Sequence, residues 1–285
     1  MTTAFVFAGG GSLGAIEVGM LQALVEHGAS PDFVVGASAG AINAAYYAGR
    51  PDREGVNRLA AIWRRLRGTD VFPWSPLHGV LGFVGWRRSL VDPAPLRELL
   101  ARELPYRRLE ESRLPCRIVA TNLLDGSEVV LSSGSVDEAL VASAAIPGVF
   151  PPVELDGKHL IDGGISSNTP LSAAVELGAK RVVVLPTGYS CALDKPPDSV
   201  LAMVLHSLTL LIARQLVIDV VRWREKAEIV VVPPLCPIKT TAYDFSESEA
   251  LIRRAAASTR TWLKTGGLER TEIPHELVPH DHLVI

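Results

Sequence analysis

A serine framed by two glycines, in the pentapeptide Gly36–Gly40 (Gly-Ala-Ser-Ala-Gly), constrains this chain more than any other stretch. The apolar residues Phe33–Val35 precede it and predict a short buried strand, and the alanine-rich Ala41–Ala48 follows it and predicts a helix. A Gly-x-Ser-x-Gly turn between a strand and a helix is typical of a nucleophile elbow, which exposes the serine at the end of a sheet. The pentapeptide alone is more typical of a loop of small residues. Its flanking elements favour the elbow and make Ser38 a candidate nucleophile.

The two glycines fit the geometry of such an elbow. Side chains at Gly36 and Gly40 would collide across the sharp turn, so both positions require glycine. The positive end of the helix that follows would favour negative charge beside Ser38.

A second glycine cluster, Gly9–Gly14 (Gly-Gly-Gly-Ser-Leu-Gly), follows a predicted strand over Ala4–Ala8 and precedes a predicted helix over Ala15–Glu26. It matches the G-x-G-x-x-G fingerprint of dinucleotide-binding proteins. That fingerprint expects an acidic residue about twenty positions further on, at the end of the second strand. Asp32 instead precedes the second strand, which ends in the serine elbow. The sequence therefore argues against a nicotinamide cofactor, and we expect no cofactor.

The other interpretation of this loop is an oxyanion hole. Attack of a serine on an ester places negative charge on the carbonyl oxygen, and each backbone N–H fixed nearby contributes about 3 kcal/mol to lowering the barrier. Gly9, Gly10 and Gly11 would supply such donors and would let a substrate approach the backbone closely. Neighbouring parallel strands would bring this loop and Ser38 to the same edge of the sheet. A plain tight turn is the remaining alternative.

Ser38 also needs a base. In the common hydrolase order the histidine comes last, which points to His275, His280 and His282. All three lie in a polar, proline-broken tail that is more typical of a solvated surface.

Asp162 is the better candidate base. It ends a predicted strand over His159–Ile161, and Gly163 and Gly164 then allow the backbone to turn tightly. A carboxylate there would accept the Ser38 proton directly, as a two-residue dyad. Asp-Gly-Gly by itself is more typical of an ordinary turn.

Composition limits the class of protein. With 285 residues, 48% of them hydrophobic, the chain can form one large domain. The net charge of −3 provides no bulk basic field, so we expect no nucleic acid partner. Cys116, Cys191 and Cys236 fit neither a metal site nor a disulfide framework, which predicts no metal and a reducing compartment. The N-terminus lacks the positive flank of a signal peptide, so we expect a cytoplasmic protein; oligomeric state is not predicted.

Strands alternate with helices along the chain, which predicts an α/β fold with a mostly parallel central sheet and helices on both faces. Val200–Val221 is the most apolar long stretch, but its charged residues are costly in lipid, so it predicts a buried or amphipathic helix. Ser246 and Glu249 predict a capping box for a helix that ends near Lys264. We expect no regular structure in the tail that follows.

Residues 71–91 combine Trp74, Phe83 and Trp86 with the basic pair Arg87 and Arg88. This mixture favours peripheral contact with a membrane, or a lid over an acyl pocket. An ordinary loop that caps the core fits the composition equally well.

Three segments taken in order, Gly9–Gly14, Gly36–Gly40 and Asp162–Gly164, resemble the motifs of the patatin-like phospholipase family. Ala142–Pro152 is similar to the block that this family carries ahead of its aspartate. The resemblance covers about the first two hundred residues, and three motifs at compatible spacing are far more specific than one. The chain departs from the family at Leu13, where Arg or Lys usually precedes the last glycine of the loop. That change keeps the backbone donors but removes a cation.

The resemblance implies a three-layer fold, with one catalytic domain over residues 1–267 and a C-terminal tail over 268–285. It implies hydrolysis of fatty-acyl esters of phospholipids or related lipids through a Ser–Asp dyad and an acyl-enzyme intermediate. Ser38 maps onto the nucleophile, Asp162 onto the base and Gly9–Gly11 onto the oxyanion hole, and Gly14, Gly36, Gly40, Gly163 and Gly164 complete the motifs. A catalytically weak lipid-binding or regulatory protein, or an acyltransferase, would carry the same motifs.

Overall fold

The computed structural model of the protein describes residues 1–72, 91–198 and 200–278. The strands are β1 (Thr3–Phe7), β2 (Phe33–Ala37), β3 (Cys116–Asn122), β4 (Glu128–Leu131), β5 (Val153–Leu155), β6 (Lys158–Asp162), β7 (Arg181–Leu185) and β8 (Glu228–Val231). The helices are α1 (Gly14–Glu26), α2 (Ser38–Gly49), α3 (Arg53–Arg65), α4 (Gly68–Val71), α5 (Ala94–Glu103), α6 (Val136–Ser143), α7 (Gly164–Ser167), α8 (Leu171–Glu176), α9 (Val200–Trp223) and α10 (Ser248–Lys264). Short 3-10 helices cover Gly11–Leu13, Leu109–Glu111, Gly267–Glu269 and His275–Leu277.

The described strands form one eight-stranded mixed sheet. Parallel pairs join β3, β2, β1, β7 and β8 in that order, and antiparallel pairs attach β4 and β6 to β3 and β5 to β6. The α/β class with a largely parallel sheet is therefore confirmed.

The alternation of side chains along β1 separates two cores. Phe5 and Phe7 lie in the larger core, which α1, α2, α3 and α10 cover on one face of the sheet. Ala4 and Val6 lie in the smaller core on the opposite face, where residues of α8 and α9 pack. Both sets are at most 1% exposed, as expected for a central strand covered on each face. The protein thus has the expected three layers.

Strands β2 and β6 pair with the same edge of β3, one after the other. β4 pairs with Ile118–Thr121 and so occupies one edge of β3 over that stretch. On the other edge, Ala37 at the end of β2 lies opposite Val119, and Asp162 at the end of β6 lies opposite Ala120. Because β2 is parallel to β3 and β6 is antiparallel to it, the two strands approach each other end to end. The residue after Ala37 therefore lies beside Asp162.

Helix α9 is long and apolar enough to cross a membrane by length and composition, but a helix of a folded soluble domain can pass the same test. Only 12% of its most apolar window is buried. Leu216, Val220 and Trp223 in its C-terminal half are buried in the smaller core. The helix is therefore only partly buried, and it is not amphipathic in the expected sense, because its exposed side chains include Met203, Leu211 and Ile218.

Two expectations are corrected. The chain beyond Gly267 is not structureless: a 3-10 helix over His275–Leu277 places Leu277, 5% exposed, in the smaller core. The capping box is absent, because the Ser246 hydroxyl donates to Asp244 and the helix begins at Ser248.

The aromatic segment predicted as a membrane interface or a lid falls, from residue 73 to residue 90, outside the described residues. His280 and His282 also fall outside them.

Candidate active site

Ser38 occupies a strained turn between β2 and α2. Its φ of 53° is in the left-handed region, which non-glycine residues rarely adopt. A Cβ on Gly36 would come within 2.5 Å of the Gly40 carbonyl oxygen, so the turn closes only without that side chain. A Cβ on Gly40 would come within 2.5 Å of the Ala8 carbonyl oxygen at the end of β1. The two glycines therefore serve different contacts: Gly36 closes the turn, and Gly40 lets α2 approach β1.

The Ser38 hydroxyl donates a hydrogen bond of 2.7 Å to Asp162 Oδ2. The other carboxylate oxygen, Oδ1, accepts the Gly164 N–H at 2.7 Å. Ser38 is 8% exposed and Asp162 is 6% exposed. Burial raises the pKa of Asp162 to about 6, against the opposing effect of the hydrogen bonds from Ser38 and Gly164. A carboxylate with that pKa is ionised at neutral pH and is a stronger base than an ordinary aspartate.

Residues 143–145 hold the two halves of this pair together. The Ser38 N–H donates to Ser143 Oγ at 2.9 Å, and that hydroxyl donates to the Val119 carbonyl at 2.5 Å. The Ser143 carbonyl accepts the Gly163 N–H at 3.1 Å, and the Ala145 carbonyl accepts the Asp162 N–H at 2.9 Å. This is the start of the block Ala142–Pro152, and its function in the structure is to bind the backbone on both sides of the pair.

The glycine-rich loop lies against the segment that follows Asp162. The Gly9 N–H donates to the Asn168 carbonyl at 2.9 Å, and Asn168 Nδ2 donates back to the Gly9 carbonyl at 3.1 Å. The Thr187 hydroxyl donates to the same carbonyl at 2.9 Å. A Cβ on Gly9 would meet Ser38 Cβ at 3.1 Å, so this loop and the elbow are in close contact.

This arrangement narrows the set of N–H donors available to a substrate. The Gly9 N–H is already bonded, whereas within the described residues neither Gly10 nor Gly11 has an acceptor for its N–H. Gly11 has a φ of 57° and lines both cavities that meet at Ser38, and Gly10 lines one of them.

The remaining motif glycines lie around the same point. A Cβ on Gly14 would meet the Trp63 ring at 2.9 Å, and one on Gly163 would meet the Val119 carbonyl oxygen at 2.1 Å. Gly164 lines the cleft beside Asp162. Leu13, the position of the family's basic residue, is buried in the larger core at 1% exposure, so the apolar side chain is used for packing.

Two cavities of different character meet at Ser38. One is an apolar pocket between α2, α3 and α5, whose walls include Ile42, Leu59, Ile62, Trp63 and Leu100. The other is a wider cleft with mixed walls, which Asp162, Gly164, Asn168 and Gln215 line together with apolar residues of α9. An ester held with its carbonyl carbon at Ser38 would place an apolar chain in the pocket and its other half in the cleft.

Asn43 ties the helix after the glycine loop to the helix after the elbow. Its Nδ2 donates to the Gly14 carbonyl at 3.0 Å and to Glu17 at 2.7 Å. Its Oδ1 accepts from Trp63 Nε1 at 2.8 Å. Burial raises the pKa of Glu17 well above the ordinary value, so its neutral form is favoured.

The histidine alternative finds no support among the described residues. His275 pairs with Glu276 at 3.2 Å, has a side chain 78% exposed, and does not line either cavity at Ser38. No group of three or more described His, Cys, Asp or Glu side chains is arranged to hold a metal ion.

Sequence reasoning missed three residues that hold the site: Ser143 as an acceptor for the Ser38 N–H, and Asn168 and Thr187 as donors to Gly9. Ser143 lies within the segment Ala142–Pro152, but the sequence of that segment does not indicate the contact with the Ser38 N–H. Asn168 follows Asp162 by six residues, beyond the reach of the Asp-Gly-Gly motif. Thr187 follows β7, and its position at the shared carboxyl edge of the parallel strands was the available signal.

The fold and this site define an α/β protein with a buried serine–aspartate pair at the edge of its sheet. A model of the Patatin family, described as patatin-like phospholipase, matches residues 5–175. That match covers more than half of the chain, and the chain belongs to the patatin-like phospholipase family. The matched region contains all three motifs and every residue of the candidate dyad.

Two curated relatives are moderately similar. Patatin-like phospholipase domain-containing protein 6 of Mus musculus is 30% identical over 189 residues, which cover 66% of this chain and 14% of the relative. An uncharacterised NTE family protein of Mycobacterium bovis is 31% identical over 186 residues, which cover 64% of this chain and 48% of the relative. The chain thus matches less than half the length of either protein.

Among solved structures, human GIVD cytosolic phospholipase A2 in complex with methyl gamma-linolenyl fluorophosphonate aligns with 95% of this chain and 58% of its own, with a TM-score of 0.49 and 11% identity. VipD from Legionella pneumophila aligns with 94% of this chain and 66% of its own, with a TM-score of 0.48 and 17% identity.

Proposed function

We propose that this protein is a serine lipid acyl hydrolase that cleaves fatty-acyl ester bonds of phospholipids or related lipids. The observation that carries the proposal is the 2.7 Å hydrogen bond from the buried Ser38 hydroxyl to the buried Asp162 carboxylate. Family membership and the apolar pocket that begins at Ser38 support the lipid substrate class.

The first half of the reaction transfers the acyl group to the enzyme. Asp162 accepts the proton of the Ser38 hydroxyl, and the serine oxygen attacks the ester carbonyl carbon. The N–H groups of Gly10 and Gly11 stabilise the resulting oxyanion, while Gly9 holds the loop in place through Asn168. The tetrahedral intermediate then expels the alcohol, which takes the proton from Asp162, and acyl-Ser38 remains.

The second half releases the fatty acid. A water molecule gives its proton to Asp162 and attacks the acyl-Ser38 carbonyl from the cleft side. Collapse of this second intermediate breaks the bond to Ser38, and the serine oxygen recovers the proton from Asp162. The enzyme returns to its starting state without a cofactor.

The test is turnover of a chromogenic short-chain acyl ester by Ser38→Ala and Asp162→Asn variants. We expect each to lower kcat/KM by at least about a thousandfold, since removal of a nucleophile or its base has that order of effect. The chain contains a matched control: Ser127 donates to Asp125 at 2.6 Å in an exposed turn, so Ser127→Ala and Asp125→Asn break a similar pair elsewhere. Full activity in a folded Ser38→Ala or Asp162→Asn variant would reject the dyad.

Two further measurements separate the alternatives. A fluorophosphonate probe should label Ser38 covalently, whereas a serine that stays unlabelled indicates a binding or regulatory protein. Joint replacement of His275, His280 and His282 by alanine should leave turnover unchanged. A loss of turnover would favour a catalytic triad that includes one of these histidines. A panel of phospholipids, lysophospholipids and acylglycerols, with released fatty acid as the readout, then identifies the substrate.

A further inference from the structure

Helix α9 exposes a continuous apolar face. Six of its large apolar side chains are between 40% and 62% exposed: Met203, Val204, Leu210, Leu211, Ile218 and Val221. They recur at helical spacing, so they share one face of the helix. Isolated exposed apolar side chains are ordinary, but a contiguous set of this size marks a surface that binds something.

The same helix forms one wall of the cleft at the candidate active site. Leu208, Ile212 and Gln215 line the cleft together with Ser38 and Asp162. Leu211 belongs to both surfaces, since it lines the cleft and is 62% exposed. The exposed face of α9 is therefore continuous with the route to Ser38.

The charge distribution along α9 matches a lipid surface. Residues 200–213 contain no Asp, Glu, Lys or Arg. Basic residues follow, and Arg214, Arg222 and Arg224 are exposed. An apolar face whose C-terminal half also carries basic residues fits a helix that lies in the plane of a membrane, with the arginines at anionic headgroups. Residues 214–226 contain four basic residues against the two acidic residues Asp219 and Glu225, so this end of the helix is locally positive although the whole chain has a net charge of −3.

We propose that the exposed face of α9 docks on the surface of a lipid bilayer and opens the cleft towards it. The proposal rests on the proposed function, because a lipid hydrolase must receive its substrate from such a surface. The helix does not cross the bilayer: Leu216, Val220 and Trp223 hold its C-terminal half in the smaller core. A second copy of the chain is disfavoured as the occupant, because a protein that covers Leu211 would block the margin of the cleft, whereas a bilayer would present lipid substrate there.

Vesicle binding tests the surface directly. In the triple variant Val204→Glu, Leu210→Glu, Ile218→Glu, none of the changed side chains lines the cleft. We expect this variant to lose binding to vesicles of equal parts phosphatidylcholine and phosphatidylglycerol by at least about thirtyfold. The matched control replaces three exposed apolar residues elsewhere, Leu124→Glu, Val130→Glu and Leu177→Glu, and should bind like the unsubstituted protein. Equal vesicle binding by the triple variant and the unsubstituted protein would overturn the proposal.

A second comparison tests the charges. Vesicles of phosphatidylcholine alone should bind the unsubstituted protein at least about fivefold more weakly, because each basic residue near an anionic surface contributes about fivefold. Equal binding to both vesicle types would overturn the assignment of the arginines to anionic headgroups.

Two controls keep the failures of the two proposals apart. Turnover of the water-soluble short-chain ester should be the same in the α9 triple variant and the unsubstituted protein, and Ser38→Ala should bind vesicles normally. Loss of docking therefore leaves soluble turnover intact, whereas failure of the proposed function appears in soluble turnover without any vesicle. A concentration-dependent dimer in sedimentation velocity that the triple variant abolishes would assign the face to a second copy and overturn the lipid assignment.

Discussion

Two serine–aspartate pairs in this chain differ chiefly in burial. Ser38 donates to Asp162 at 2.7 Å, and Ser127 donates to Asp125 at 2.6 Å. The pKa of Asp125 is lowered by the Ser127 hydroxyl and N–H, whereas burial raises the pKa of Asp162 to about 6 despite a similar bond. The hydrogen bond alone therefore does not make an aspartate a useful base. Removal of the side chain from water makes it a stronger base, because burial disfavours the charged carboxylate and so increases its affinity for a proton.

This pKa predicts the pH dependence of the reaction. Asp162 must be ionised to accept the Ser38 proton, so kcat/KM for a soluble ester should fall as the pH decreases through about 6. The profile should be flat above that inflection up to mildly alkaline pH. It is measured from initial rates in buffers of constant ionic strength. An inflection that disappears when His275, His280 and His282 are replaced would contradict the assignment.

The same pKa predicts that Asp162→Asn stabilises the fold. The folded-state pKa of about 6 is above the ordinary value of 3.8, so the folded state binds more protons between these values and stability decreases as pH rises through that window. A pKa difference of this size corresponds to roughly 3 kcal/mol at most. The variant should therefore gain about 1–3 kcal/mol in free energy of unfolding near pH 8.

Urea denaturation of the Asp162→Asn variant at two pH values is the measurement. The gain should be present near neutral pH and absent below about pH 3, where the aspartate is protonated in both the folded and the unfolded state. Asp125→Asn should give no gain, because the pKa of that exposed group is lowered. Destabilisation of the Asp162→Asn variant near pH 8 would contradict the argument.

At the scale of elements, the pairing of strands explains why Ser38 and Asp162 meet. The two residues are 124 positions apart in the sequence. β2 and β6 approach end to end along one edge of β3, so the residues at their ends are neighbours whatever the length of chain between them. α6 then ends at Ser143, next to both strand ends.

Ser143→Ala tests this junction. The Ser38 N–H is buried and would lose its acceptor, which costs about 1–3 kcal/mol of stability. The same change loosens the strained backbone of the elbow, so kcat should decrease by about tenfold with little change in KM. Thermal unfolding and steady-state kinetics measure the two effects. Ser112→Ala, which removes a partly buried hydroxyl bonded only to backbone carbonyls, is the control for loss of a hydroxyl elsewhere.

Local sequence patterns predicted where strands lie in the chain better than how those strands pair. The sequence predicts central strands over two further apolar runs, Arg181–Leu185 and Glu228–Val232. β7 has the expected bounds, and β8 ends one residue earlier than expected, at Val231. The antiparallel direction of β6 and the existence of β5 were not expected. The three residues of β5 are too few for an alternating pattern to predict a strand.

The capping box illustrates the competing local chemistry. Ser246 and Glu249 have the right spacing, but Asp244 offers a nearer acceptor to the Ser246 hydroxyl and N–H. The resulting turn delays the helix to Ser248. Motif spacing therefore predicted that a helix exists here but not how it begins.

At the scale of the whole molecule, the candidate site lies at the end of the sheet, between the larger core on one face and the smaller core on the other. The apolar pocket opens from the side of the larger core, and the cleft opens towards α9 of the smaller core. The three motifs recognised in the sequence all lie at the boundary between these cavities. Most of the residues that line the cavities come from segments outside those motifs, so the shape of the cavities was not predictable from motif spacing.

The two cavities should therefore control different halves of the substrate. Ile62 lines the apolar pocket and Ile165 lines the cleft, which allows one Ile→Trp substitution in each. Ile62→Trp should lower kcat/KM for a long-chain ester, of about sixteen carbons, by at least tenfold relative to a butyryl ester, because added volume blocks a long chain first.

Ile165→Trp is the matched control. It should leave this ratio between long and short esters within about twofold, while it changes the preference among alcohol groups of esters with one acyl chain. Circular dichroism and thermal unfolding of both variants exclude a general loss of structure. An equal decrease for long and short esters in the Ile62→Trp variant would mean that the chain does not occupy the pocket between α2, α3 and α5. The acyl chain and the leaving alcohol would then share the cleft, and the proposed orientation of the ester at Ser38 would be wrong.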